Sequence, residues 1–288
     1  MSHIAACLKL VPFKDRPTEP DPGDECYLDL TPKQPREATR MVFCWCPPTP
    51  AAGFLVGHDG DAPTGGEAGK QPRAVIPQGY WLGKHLVTQA QWQALMGSDP
   101  SKKGHGDFHP VDSVSHDMTG EFAEKSRKLM PDGLELWLPT EAQWEWACRA
   151  GTTTPFGIGA GLSLNSQLAN IDGNYPDGSE ASAFKWQFRD KTLPVGVFPP
   201  NAWGLHDMHG QLWEWCQDWL DAPNERDAGR QRVLRGGCWI YLGRDARSAY
   251  RYGCQPRLVS DFFGFRACPS SIQARAGGQQ SGAERRQE

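Results

Sequence analysis

Apolar residues recur at helical spacing in three stretches of the middle third of the chain. Val87-Thr88-Gln89-Ala90-Gln91-Trp92 has a threonine placed as N-cap, a glutamine three residues on, and Val87 set to staple against Trp92. Trp92, Leu95 and Met96 then share one face, and Gly97 ends the predicted helix. A second helix is predicted from near Ser115, burying Met118, Phe122 and Leu129 and breaking at Pro131-Asp132-Gly133. The third repeats the first device: Thr140 caps, Gln143 sits at the third position, Trp144, Ala147 and Cys148 face inward, and Gly151 closes it. Beyond Gly151 the helical period gives out. The runs 193–198, 232–235 and 264–268 alternate or nearly alternate between turns, as strands do. The apolar run 41–46 predicts another strand, stopped where Pro47 and Pro48 remove donors. Helices first and strands later predict an α+β domain rather than a parallel βαβ array.

Residues 1–40 are proline-rich and charged, and read as an N-terminal arm or edge element; 57–72 read as a loop. One domain is expected over 41–268, followed by a small, polar, frayed tail over 269–288. Gly (32) and Pro (24) are abundant, which alone suggests disorder, but disordered chains lack aromatics and this one has 12 Trp. Together they predict ordered loops around a tryptophan-rich core. A net charge of −4 and a pI near 6.1 argue against a nucleic-acid surface. No run approaches the ~18 apolar residues of a membrane span. No export signal is legible at the N-terminus, so the default expectation is a cytoplasmic protein. The nine cysteines are scattered without a C-x-x-C pair and are expected to stay reduced.

Four segments in order carry a family resemblance. They are the run 79–88 (GYWLGKHLVT), the run 137–147 (WLPTEAQWEWA), the run 198–215 (FPPNAWGLHDMHGQLWEW), and Arg232-Val233-Leu234-Arg235-Gly236-Gly237-Cys238-Trp239 leading to Gly264-Phe265-Arg266. The chain thus resembles the formylglycine-generating-enzyme, or sulfatase-modifying-factor, family over roughly 41–268. The resemblance implies a C-type lectin fold of that subtype. It says less about activity, because the fold hosts enzymes and pure binding modules alike.

In the family's oxidases two cysteines hold copper shortly after the Arg-Gly-Gly motif. The matching positions here are Tyr241 and Ala246, and neither can supply the thiolate that soft Cu(I) needs. An oxidase with a shifted pair, Cys238 and Cys254, is the alternative reading. The iron site of sulfoxide-synthase relatives needs a helical domain that this chain is too short to carry. His105 and His109 are spaced like helical metal ligands, but the glycines and proline around them predict a loop; His206 and His209 read as packing residues. Family members can bind calcium. One such site uses an Asn that here is Gln211; Asn170 and Asp172 resemble the other and make calcium the one candidate ion, against an ordinary Asx-turn.

The stretch 238–263 (CWIYLGRDARSAYRYGCQPRLVSDFF) alternates framework-like residues with large apolar, aromatic and acidic ones. It resembles the variable region of the bacterial diversity-generating-retroelement variable proteins, which use this same fold. That resemblance implies a non-catalytic protein displaying a ligand-binding face to a protein or other macromolecule. The face would comprise Ile240, Tyr241, Leu242, Asp245, Tyr250, Tyr252, Cys254, Leu258, Ser260, Asp261, Phe262 and Phe263. Aromatic loops give contact area at low entropic cost, as in antibody paratopes. The competing reading makes Ile240, Leu242, Leu258 and Phe263 the core of a divergent member.

Overall fold

Two capping boxes set the helices. In a computed structural model, which describes residues 9–10, 20–57, 73–178, 187–220 and 231–271, Thr88 Oγ1 accepts from Gln91 N while Gln91 Oε1 accepts from Thr88 N. Thr140 and Gln143 do the same. In chain order the elements are β1 (Lys9–Leu10), β2 (Glu25–Asp29), β3 (Arg40–Cys46), β4 (Phe54–Leu55), β5 (Arg73–Ala74) and β6 (Tyr80–Gly83). Next come α1 (Gln89–Met96), α2 (His116–Ser126), β7 (Leu134–Trp137) and α3 (Glu141–Arg149). The last five are β8 (Trp213–Trp219), β9 (Arg232–Arg235), β10 (Tyr252–Cys254), β11 (Phe263–Gly264) and β12 (Cys268–Ser271).

Few helices and many short strands make this an α+β fold. One four-stranded sheet runs β1-β2-β3-β6, all antiparallel. A second runs β10-β9-β8-β11, with β11 parallel to β8 and in register Phe263 to Trp213. β12 pairs with β7, and β4 with β5. Most described residues between α3 and β8 form ordered loops.

The tryptophans fill the core, as their number suggests. Trp92, Trp144, Trp213 and Trp215 are fully buried, and Trp92 stacks on Phe122 with centroids 5.6 Å apart. Val87 and Trp92 lie in the same apolar cluster, as the staple requires. Two buried ion networks cross this core. Glu145 accepts from Arg149 and from Arg235, with all three side chains out of water. Glu214 accepts from Trp144 Nε1 (2.8 Å) and from Arg266 Nε and Nη2 (3.1 and 2.9 Å).

Several expectations need correction. The run 193–198 forms no strand. Its amides bond to side chains and one distant carbonyl: Leu193 N to Gln211 Oε1, Gly196 N to Asp207 Oδ2, and Val195 N to Phe108 O. The run 264–268 splits, its start on β8 and its end on β7. Residues 269–271 continue β12 rather than fraying; 272–288 lie outside the described residues, as do 58–72 of the expected loop. The arm contributes the edge strand β1 and, between it and β3, the inner strand β2. α2 ends at Ser126, and Leu129 sits half-buried in a following 3-10 turn. At the end of α3 it is Ala150, at φ 46°, that takes the left-handed cap ahead of Gly151.

Candidate functional site

The stretch after β9 begins with a turn that only glycine fits. Gly236 and Gly237 both have positive φ (94° and 74°). A Cβ on Gly237 would lie 2.9 Å from that of Ala246, and one on Gly236 would lie 3.1 Å from the Trp144 ring. The turn drops Cys238 and Trp239 into the core, and Trp239 N is held by Gln211 O. The chain then surfaces at Ile240, bends through a 3-10 turn (Gly243–Ala246), and returns along β10.

Gln211 is the clamp beneath this surface. It is fully buried at φ 69°, its Oε1 accepts from Asn170 Nδ2 (2.8 Å) and Leu193 N (3.0 Å), and its Nε2 donates to Leu193 O. Asp172 N donates to Tyr241 O, and Gly243 N to Tyr175 O. The 170s loop thereby becomes the wall of the face, a role that sequence reasoning missed.

The surface itself is an aromatic cradle on Trp213. Tyr252 stacks on that ring with centroids 5.2 Å apart, and Tyr241 meets it edge-on at 5.4 Å. Tyr250 lies at 5.9 Å. Phe262 packs 5.9 Å from Tyr241 and 4.9 Å from Phe263. The Tyr241 and Tyr252 rings tilt against each other with centroids 6.2 Å apart. Tyr241, Leu242, Tyr250, Tyr252, Ser260, Asp261 and Phe262 are half-buried. Ile240 and Leu258 are 43% and 48% exposed, and Val259, not anticipated, is 46% exposed. Phe188, stacked on Trp239 at 6.3 Å, and exposed Tyr175 extend the surface from loops more than 50 residues upstream. No periodicity within 238–263 could have pointed to them.

Three of the twelve expected face residues are buried instead. Phe263 (1% exposed) pairs with Trp213 and packs 5.2 Å from Trp215. Cys254 lies in the strand ladder of β10 against β9. Asp245 turns inward so that Oδ2 accepts from Leu242 N (3.3 Å). Burial raises its carboxyl pKa.

The two positions that the resemblance assigns to the oxidases' copper-binding cysteines carry no sulfur. Tyr241 fills its position with a ring, and Ala246 is a buried methyl against Gly237. Burial pushes the Cys238 thiol far up and the Cys254 thiol up. Among the described residues no group of three or more His, Cys, Asp or Glu is arranged to hold a metal ion. Asp172 Oδ1 accepts from Asn174 N and Nδ2, an Asx-turn. Asn170 Oδ1, in contrast, is a buried acceptor without a partner, the kind of atom that a calcium ion would satisfy. His109 bonds Thr192 in its loop, and buried His209 bonds Ala246 O.

Comparison with known proteins places this geometry. A family model described as "Sulfatase-modifying factor enzyme 1-like domain" matches residues 37–270. The chain is 32% identical to mouse (Mus musculus) formylglycine-generating enzyme over 198 residues, covering 64% of this chain and 48% of that one. It is 38% identical over 148 residues to a Chlamydia caviae protein named serine/threonine-protein kinase pkn1, covering 47% of this chain and 21% of that one. It therefore spans about half of the first relative and a fifth of the second. Among solved structures, Treponema denticola variable protein 1 matches with a TM-score of 0.60 at 24% identity, over 80% of this chain and 95% of that one. PvdO from Pseudomonas aeruginosa matches with a TM-score of 0.62 at 21% identity, over 88% and 100%. At such identities the two structures speak to the fold. Among the described residues no helix is long and apolar enough to cross a membrane.

Proposed function

Because the chain belongs to the sulfatase-modifying factor enzyme 1-like family, whose fold carries both oxidases and binding modules, we propose that it is a non-catalytic receptor. It holds a protein or other macromolecular ligand against the aromatic surface of 238–263, as diversity-generating-retroelement variable proteins do. The observation that carries this reading is the cradle itself. Tyr241 and Tyr252 lie on the Trp213 ring and Phe262 packs on Tyr241, a position to which the resemblance assigns one of the oxidases' copper-binding cysteines. Half-exposed rings clustered on a rigid floor are typical of interaction surfaces. Rigid aromatic side chains also lose little entropy on binding.

Replacing Tyr241, Tyr252 and Phe262 together by alanine is expected to abolish ligand capture while thermal unfolding stays cooperative. Loss of the folded state in that variant would make the rings core and defeat the receptor. The oxidase alternative requires one copper bound through Cys238 and Cys254 and oxygen-dependent turnover of a cysteine peptide; observing both would overturn our reading.

The unpartnered Asn170 Oδ1 supports a second element, a stabilising calcium ion at Asn170 with Asp172. Calcium binding only the native state should raise the unfolding midpoint, by about 2.7 kcal/mol of stability at a hundredfold excess over Kd. A midpoint indifferent to calcium and to chelator would leave 170–174 as a turn alone.

A further inference from the structure

The charges around the cradle are unevenly matched. Three of the arginines in 238–263 are already paired with acids from elsewhere. Arg247 Nε holds Asp177 at 2.7 Å. Arg251 clasps both oxygens of Glu141, at 2.5 and 2.7 Å. Arg257 reaches Asp117 at 3.4 Å. Only Arg244 remains, largely exposed and a loose 3.8 Å from Asp245.

The two acids of the stretch are left without a close counter-charge. Asp245 has that one distant arginine, and Asp261 forms no ion pair with any described residue. Both lie near enough to the buried Cys238 to raise its thiol pKa, after burial itself. Asp112, fully buried, also feels Asp261. Asp245 Oδ2 accepts from the amide next to Tyr241, Asp261 directly precedes Phe262, and the Tyr241 and Phe262 rings lie 5.9 Å apart. Aromatic faces carry negative quadrupole potential and attract cations within about 6 Å of the centroid, by about 0.5–1 kcal/mol at exposed sites and 2 or more when desolvated. Unpaired carboxylates beside such rings add attraction of the same sign. An anionic ligand would meet repulsion from both.

We propose that the cradle recognises a cationic side chain, a lysine ammonium or an arginine guanidinium on a protein ligand, seated on the Tyr241–Tyr252–Phe262 rings between Asp245 and Asp261. This inference rests on the receptor reading and gives its ligand a chemistry. The ligand's ammonium or guanidinium lies over the rings and supplies the counter-charge that Arg247, Arg251 and Arg257 spend elsewhere. Asp261, half-exposed, makes the outer contact; Asp245, deeper and held by Leu242 N, adds negative charge from beneath.

The test is selection of a random hexapeptide display library on the immobilised full chain, with enriched peptides re-synthesised and titrated. Lys or Arg should be enriched at least threefold over the unselected library. Asp261→Asn, an outer substitution that leaves the packing alone, should weaken capture about tenfold, and 0.5 M salt should weaken it as well. Asp245→Asn, which keeps an oxygen for Leu242 N, should add to the loss. Enrichment of uncharged or acidic peptides that is still lost in Tyr241→Ala would overturn the cation and leave the receptor standing. Enrichment of cationic peptides insensitive to Asp261→Asn and Asp245→Asn would place them elsewhere and overturn the proposal. No enrichment of any peptide would overturn both readings.

Discussion

Glu214→Ala is expected to remove about 3–5 kcal/mol of folding stability, the range for breaking a buried ion pair from one side. The residue contacts no solvent and accepts three hydrogen bonds, one from Trp144 and two from Arg266. Arg266 is itself fully buried, and its other bonds go to the neutral carbonyls of Gly83 and His206. Without Glu214 its guanidinium stays in the core without its hydrogen-bonded carboxylate, and the Trp144 indole N–H loses its acceptor. Glu214→Gln keeps an acceptor oxygen and the shape, so its loss should be smaller but still large. Urea unfolding with an unchanged m-value is the measurement. A loss under about 1 kcal/mol would show that the charge of Arg266 is compensated in some other way.

An alanine scan of 238–266 should fall into two classes. Phe263→Ala and Phe265→Ala should each cost about 3–5 kcal/mol, as truncations of fully buried aromatics do. Ile240→Ala, Leu258→Ala and Asp261→Ala should stay within about 0.5 kcal/mol, the usual range for surface changes. Asp245→Ala belongs with the costly class, because the residue is buried and Leu242 N would lose its acceptor. Ile240→Lys and Leu258→Lys should be tolerated, whereas Phe263→Lys should not, since an unpaired charge in the core far outweighs a lost ring. Equally large losses at Ile240, Leu258 and Asp261 would return the whole stretch to the core and remove the receptor face.

The division between these classes was only partly legible in the sequence. Capping boxes are local, four residues long, and can be read directly at Thr88 and Thr140. The resemblance likewise pointed to the right family, because its motifs are long and ordered. Phe263 was misplaced on the face because its burial comes from parallel pairing with Trp213, fifty residues away and without any local signature. The run 193–198 alternates like a strand, yet its partners are Gln211 and Asp207 side chains rather than a neighbouring strand. Asp245 reads as a surface acid in any window, and only the inward bend of its turn makes it a cap. Tyr175 and Phe188 reach the surface through loops whose course nothing in 238–263 encodes.

The bonding of Arg266 also bears on the order of events in folding. Its contact with Gly83 O joins residues 183 apart in the chain, β12 closes on β7, and β11 must reach back to β8. Each is a long loop whose closure entropy comes before its reward. A chain with so many distant contacts folds slowly compared with helical bundles of its size. During synthesis, helices α1 and α3 can form early from their own caps. Glu214 and its tryptophans, however, wait with an unsatisfied carboxylate until residues 263–271 leave the ribosome. The stretch 238–263, proposed as the binding face, therefore lies inside a loop that closes late, and substitutions there arrive after most of the upstream structure has had time to assemble.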